Sequence, residues 1–258
     1  MKEFFGFGGY TREPEGFMSW QHLLFVSILT ALMIALAIWL GLRNRHKSFA
    51  EKNRVLIVSA IAIDVIELFK IVLISIRGKD PMAFLYMLPL FLCSIQLISL
   101  PLAAFSRGRL QETALDFVFI FGMLGALLGT YGAGNNYGSY PVLCFDNVVS
   151  GLTHTIAGFA SLYIAVAGLA SMKRRNIHLT FTILLSFCAV AYVVNHLTDY
   201  NYMFLMQGDG TPYDIVYNLV GGNPVLYPLL VVVLFLIYIT AYYLIYFWVR
   251  RAKSKKTA

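Results

Sequence analysis

The sequence predicts an all-α fold: a polytopic membrane protein built as a seven-transmembrane-helix bundle, with its N-terminus outside and its C-terminus in the cytoplasm. Three observations lead there. Of 258 residues, 59% are apolar and only 13% are charged, about half the charged share of an ordinary soluble domain. Apolar runs recur at the length a bilayer core requires, roughly 20 residues of helix. The basic residues also divide by side. With spans at 20–42, 55–75, 84–105, 114–131, 150–171, 177–196 and 224–248, 15 of the 20 Lys and Arg fall on one side and 4 on the other, and Lys70 lies inside a span. The richer side is cytoplasmic by the positive-inside rule. A missed or spurious span would spoil that division.

Each element has its own justification. The run at 20–42 follows 19 residues that are not notably basic, and it is too long for a signal peptide, so it is expected to be retained. The run at 55–75 is apolar except for Asp64, Glu67 and Lys70. The third, containing "MLPLFLCSIQLISLPL" (87–102), carries Pro89 and Pro101 on either side of Cys93 and Gln96. The remaining four are plain apolar segments, and the turns at 105–114 and 171–177 are short and basic. Everything falls in one domain, 1–258. Two outer connections, 131–147 and 198–224, lack Lys and Arg and are rich in Gly, Asn and Tyr. Long connections of this kind often form binding loops or lids, and "NYMFL" (201–205) is apolar enough to dip back into the membrane.

Composition also excludes. The net charge of +7 invites a nucleic-acid partner, but the positive charges adjoin spans, where topology accounts for them. Cys93, Cys144 and Cys188 are an odd number and make no disulfide framework. No H-x-x-x-H or C-x-x-C spacing suggests a metal, and no P-loop, nucleophile elbow or dinucleotide fingerprint is present. No cofactor is expected.

The informative residues are the polar ones at membrane depth. A charge at a helix centre costs roughly 2.5–3.5 kcal/mol on insertion scales. Asp64, Glu67 and Lys70 recur every three residues and share a slanting face; Glu67 and Lys70 can neutralise each other, as a structural ion pair or as one wall of a site. In the predicted topology, Cys93 lies roughly 14 Å from the outer end of its span at 1.5 Å per residue, with Gln96 one turn deeper. His154, Asn195, His196 and Lys70 also fall in the outer half. Proline loosens the helix beside Cys93 and frees backbone groups. A thiol becomes a nucleophile when a base or cation favours its thiolate. His154 can be that base, and Lys70 can favour the thiolate or hold a phosphate. Gln96, Asn195 and Asn201 can stabilise an oxyanion. The reaction class is acyl transfer through a thioester. Cys188 reads as a small hydrophobe, His22 as a packed interfacial group, and His46 and His178 as ordinary residues of basic turns.

A resemblance runs along about residues 4–248. "GFMSWQH" (16–22), "ELFK" (67–70), "LPLFLCS" (88–94), His154 and "NYMFL" (201–205) occur in an order that resembles the YwaF-like bacterial integral membrane proteins and the related transmembrane protein 164 family. The resemblance implies seven spans and a cysteine-dependent acyl transfer to lysophospholipids assisted by histidine. It places the nucleophile at Cys93 and the histidine at His154. In the family pattern a histidine often precedes the Leu-Cys pair, where this chain has Phe91; if that histidine matters, His154, His196 or His22 takes its place, or the activity is lost.

The expectation is therefore a membrane-embedded lipid acyltransferase or acyl-lipid hydrolase. Cys93 and His154 would be catalytic. Gln96, Asn195 and Asn201 would support the oxyanion, and Glu67, Lys70, His196 and His22 would shape the pocket or hold a headgroup. Its partners are membrane phospholipids or lysophospholipids, its location a bacterial plasma membrane, and its oligomeric state is left open. Two other classes fit the same composition: a transporter or receptor binding a small solute without chemistry, and a structural partner of other membrane enzymes.

Overall fold

A computed structural model describes residues 1–256, and among these no strand occurs. The side chains of Lys253, Lys255 and Lys256, part of the basic C-terminal cluster counted above, lie outside the described ones. The helices are α1 (Lys2–Phe5), α2 (Trp20–Asn44), α3 (Phe49–Gly78), α4 (Gln96–Phe105), α5 (Gly108–Tyr131), α6 (Gly134–Ser139), α7 (Phe145–Val166), α8 (Ile177–Thr198), α9 (Tyr213–Leu219) and α10 (Leu226–Lys256). Among the described residues, five helical stretches are long and apolar enough to cross a membrane: Trp20–Asn44, Gly108–Ser139, Phe145–Val166, Arg174–Thr198 and Leu226–Ala252.

Two of the seven expected spans differ from that set. The 55–75 span lies inside α3, whose 30 residues reach about 45 Å at 1.5 Å per residue. Length is ample there, and Asp64, Glu67 and Lys70 are what set α3 apart. The expected third span, 84–105, is not one continuous helix. Only its last ten residues form α4, about 15 Å of helix, half of a hydrocarbon core. The cause is local. Pro89 has no N–H to donate, the Leu90 N–H turns back to the Leu88 carbonyl at 2.8 Å, and the Phe91 N–H is taken by Ser94 Oγ at 3.0 Å. Non-helical backbone is tolerated at membrane depth only where protein buries it or a cavity receives it.

The chain divides into two compact units, Met1–Ser171 and the part from Met172 onward. In the first, α5 packs against α4 and α7, while α2 and α3 pack on α7. The core between α3, α4, α5 and α7 contains Leu56, Ile63, Leu100, Leu115, Val118, Tyr163 and Ile164. Ser48 and Glu51 form a capping box that starts α3. Buried polar groups tie the end that holds the starts of α3 and α5. Asn53 donates to the Ala104 carbonyl at 2.7 Å, the Tyr163 hydroxyl donates to the Lys52 carbonyl at 3.0 Å, and Asp116 accepts the Ser171 N–H at 2.8 Å.

At the opposite end, the N-terminal segment closes over α3 and α7. The Arg77 guanidinium grips Asp146 with two bonds, 2.7 and 2.9 Å, and also reaches the Phe5 carbonyl at 3.1 Å. The Tyr10 hydroxyl donates to the same carboxylate. Burial, and then the Asp146 charge, push the Tyr10 phenol above its usual range, so it stays a donor. Glu15 accepts the Val142 N–H at 2.7 Å and fixes this segment to the 140–142 turn.

In the second unit α8 and α10 pack together. The Thr180 and Tyr243 hydroxyls bond at 2.9 Å near the start of α8 and the end of α10, and the Tyr227 hydroxyl donates to the Phe204 carbonyl at 2.7 Å at the other end. The pair therefore runs antiparallel.

Candidate active site

The site lies within the first unit, and α5 makes room for it. Gly125 and Gly129 are one turn apart on α5, so they share a face. A Cβ on Gly125 would come within 3.0 Å of the Cys93 Cα and 3.3 Å of its Cβ. A Cβ on Gly129 would lie 1.9 Å from the His154 ring at Cδ2 and 2.0 Å at Nε2. The two glycines form a cradle: Gly125 seats the Cys93 backbone in tight contact, and Gly129 seats the His154 ring where a Cβ would overlap it. Gly122, a further turn along, lets α7 approach in the same way, since its Cβ would meet the Ala157 carbonyl at 2.8 Å.

Cys93 reaches the cradle from the turn before α4, the segment that Pro89 keeps out of a helix. His154 reaches it from α7. Its Nδ1 lies 2.7 Å from the Ser150 carbonyl one turn back. A carbonyl only accepts, so Nδ1 carries the proton and Nε2 presents a lone pair. Nε2 faces Gly129, and Cys93 lies against Gly125 one turn away on the same face of α5, so the two side chains share the cradle. A base held in one tautomer beside a nucleophile is the arrangement that activates a thiol. Both residues keep part of their surface accessible.

Around this pair the lining is polar. Lys70 lies close enough for its charge to be felt at His154. It is joined to Glu67 in an ion pair whose side chains are only 18% and 10% exposed, so the cation is held and mostly enclosed. Gln96, one turn beyond Cys93, is fully buried. Its Oε1 accepts from Ser99 at 3.0 Å, while its Nε2 has no hydrogen-bond partner. A buried amide with an unused donor is rare and costly. Among the described residues no cluster of three or more His, Cys, Asp or Glu could hold a metal ion.

A model of the TMEM164 family matches residues 17–255. The chain belongs to the TMEM164 family. No curated protein and no solved structure matches it. The family match spans every residue of the cradle and its lining, and together with the five long apolar helices it makes this TMEM164-family chain an integral membrane protein.

The other residues singled out in the sequence have hydrogen bonds or packing partners of their own. His22 in this TMEM164-family chain is fully buried. Its Nδ1 accepts the Met18 N–H at 3.2 Å, its Nε2 donates to the Thr130 carbonyl at 3.1 Å, and its ring packs on Tyr137 at 3.9 Å. Both nitrogens are committed to holding the start of α2 against the end of α5. Asn195, His196 and Asn201 belong to the second unit. Asn195 clamps Tyr202, donating to its carbonyl at 3.0 Å and accepting its N–H at 2.7 Å. Asn201 donates to the Gln207 carbonyl at 2.8 Å and to Asp209, and accepts the Met206 N–H at 2.9 Å. These amides fold the 199–209 loop, whereas the Gln96 amide nitrogen has no partner at all. His196 is exposed and bonds the Tyr192 carbonyl at 2.9 Å. Phe91 is partly buried, and its carbonyl caps the turn by accepting from Ile95 at 2.9 Å. Cys188 packs against the Met203 sulfur at 3.7 Å.

Sequence reasoning missed Gly125, Gly129 and Ser150. The glycines were visible as a G-x-x-x-G spacing in "MLGALLGTYG" (123–132), a pattern that marks close helix approach in membranes. Ser150 acts through its backbone carbonyl, which no side-chain motif reveals.

Proposed function

We propose that this TMEM164-family protein is a membrane-embedded acyl-lipid enzyme, a transferase or hydrolase, that works through a thioester on Cys93. The observation that carries the reading is the shared cradle: Gly125 seats Cys93, Gly129 one turn on seats the His154 ring at Nε2, and the Nδ1 of that ring is committed to the Ser150 carbonyl. In the first step the thiol proton passes to His154 Nε2. The sulfur attacks the acyl carbonyl carbon of a phospholipid ester, and the Gln96 amide donates to the oxyanion. The carbon–oxygen bond then breaks. The departing lysophospholipid alkoxide takes the proton from His154, and the acyl group remains on sulfur. In the second step a lysophospholipid hydroxyl, or water, loses its proton to His154 and attacks the thioester. The carbon–sulfur bond breaks, the product ester or acid leaves, and the Cys93 thiolate takes the proton back from His154 to restore the thiol. Glu67 and Lys70 hold a fixed cation beside the pair, suited to a lipid phosphate.

In this reading the chain crosses a bacterial plasma membrane seven times, counting α3 and the broken 84–105 stretch. The N-terminus lies outside and the C-terminus in the cytoplasm, which places the cradle in the outer half of the bilayer. The partly exposed faces of Cys93 and His154 leave an approach for an acyl chain. The test is a thioester-trapping acyl probe applied to membranes carrying the protein. Labelling that disappears in Cys93→Ser and persists in Cys188→Ser supports the reading; labelling unchanged in Cys93→Ser removes Cys93 as the nucleophile.

A further inference from the structure

The second unit contains a cleft that the acyl-transfer reading does not use. It has a volume of about 640 Å³ and is lined by Met172, Lys173, Arg174, Arg175, Phe247, Arg250 and Arg251. Five of the seven lining side chains are cationic and none is acidic. They come from two stretches some 75 residues apart in sequence, the turn before α8 and the end of α10, and the antiparallel pairing of those helices brings them together. The Arg174 guanidinium lies over the Phe247 ring, 5.4 Å from its centroid. That contact holds the cation against an apolar wall.

Position identifies the ligand. One candidate span begins at Arg174 and another ends at Ala252, so both sets of cations lie where hydrocarbon gives way to headgroups. Basic clefts between helices at that level recognise anionic lipid headgroups. Arginine forks match phosphate oxygens in a way a scattered positive surface does not. The cleft is open, and its volume leaves room for a phosphoglycerol group rather than for an anion alone. We propose that this cleft binds the phosphate headgroup of an anionic phospholipid, with Arg174 and Arg250 as its principal contacts.

The test uses the full chain in nanodiscs and measures its retention of phosphatidylglycerol against phosphatidylcholine by native mass spectrometry. The wild-type chain is expected to retain phosphatidylglycerol preferentially. Each of Arg174→Gln and Arg250→Gln is expected to weaken that preference about fivefold, the effect of one juxtamembrane charge. The pair Arg43→Gln with Arg45→Gln, which removes two charges at the end of α2, is expected to leave it unchanged. The single variants decide the matter even if a double Arg174/Arg250 variant fails to fold. Equal retention of the two lipids, or an equal loss in the Arg43/Arg45 control, overturns the proposal. So does protection of the cleft by inorganic phosphate alone as effectively as by phosphatidylglycerol, because the site would then be one for a free anion.

Discussion

Cys93 and Cys188 are both thiols in apolar stretches of one chain, and their surroundings part them. Cys188 sits within α8, almost wholly buried, with the Met203 sulfur at 3.7 Å as its neighbour. It fills space as a soft hydrophobe. Cys93 sits on a turn that Pro89 keeps out of a helix, and it shares the two-glycine cradle with an imidazole whose Nδ1 is tied down at 2.7 Å. The difference is one of neighbours rather than residue type. An uninterrupted helix gives a cysteine packing partners; a broken helix beside a two-glycine cradle gives it an imidazole neighbour, the base of the proposed reaction.

The comparison can be broken most sharply at the base. His154→Gln keeps the volume near the cradle and removes the proton acceptor. Acyl turnover should fall about 10²–10⁴-fold, the range for general acid–base groups, as measured by release of labelled fatty acid or its transfer to a lysophospholipid. Cys188→Ala should leave turnover intact. Gly129→Ala places a methyl group 1.9 Å from the His154 ring and must move it, so turnover should drop nearly as far with every catalytic side chain still present.

Gln96 sharpens the contrast in a second way. Gln96→Leu removes an oxyanion donor, which costs about 10²-fold or more in comparable sites. The change removes an unpartnered buried donor and also the Ser99 bond to Oε1, two opposed effects, so thermal stability should change little. A loss of turnover with no loss of stability separates a catalytic amide from a structural one; the reverse pattern would mark Gln96 as structural.

Stability should depend on a different part of the first unit. Asp146→Asn leaves Arg77, a side chain only 17% exposed, without its partner. Breaking such a pair costs roughly 3 kcal/mol, read as a lower melting temperature in detergent. The smallest effect concerns pH. Burial works to raise the Glu15 pKa, but the bonds from the Val142 N–H and its own N–H, together with the Arg12 charge, outweigh it, and the carboxyl sits below its ordinary 4.5. A lowered folded pKa means that its contribution is present above 4.5 and is lost as pH falls through the folded value. Protease cleavage within residues 1–19 should therefore rise as pH drops below that point, by an effect worth under about 1 kcal/mol, and Glu15→Gln should flatten the dependence.

The sequence made much of this legible and left specific parts hidden. Long apolar runs announced α2, α5, α7, α8 and α10, because a helix that meets lipid must be apolar along its length. The same logic obscured 84–105, where apolar composition continues through a break that only Pro89 marks. Cys93, Gln96, Glu67, Lys70 and His154 stood out because polar groups are conspicuous in hydrocarbon. Asn195 and Asn201 stood out for the same reason, yet their amides are spent on backbone a few residues away, a use that sequence spacing does not distinguish from a free donor. The grip of Arg77 on Asp146, 69 residues apart, depends on how α3 and α7 meet, which no local pattern encodes.

The most direct measurement of the central claim is the alkylation rate of each cysteine in one preparation, followed by peptide mass spectrometry across neutral pH. The account predicts that Cys93 is modified at least about tenfold faster than Cys188, as expected for a thiol activated beside a base, and that the gap collapses in His154→Gln. Equal rates for the two thiols, or a gap that survives the loss of His154, would contradict it.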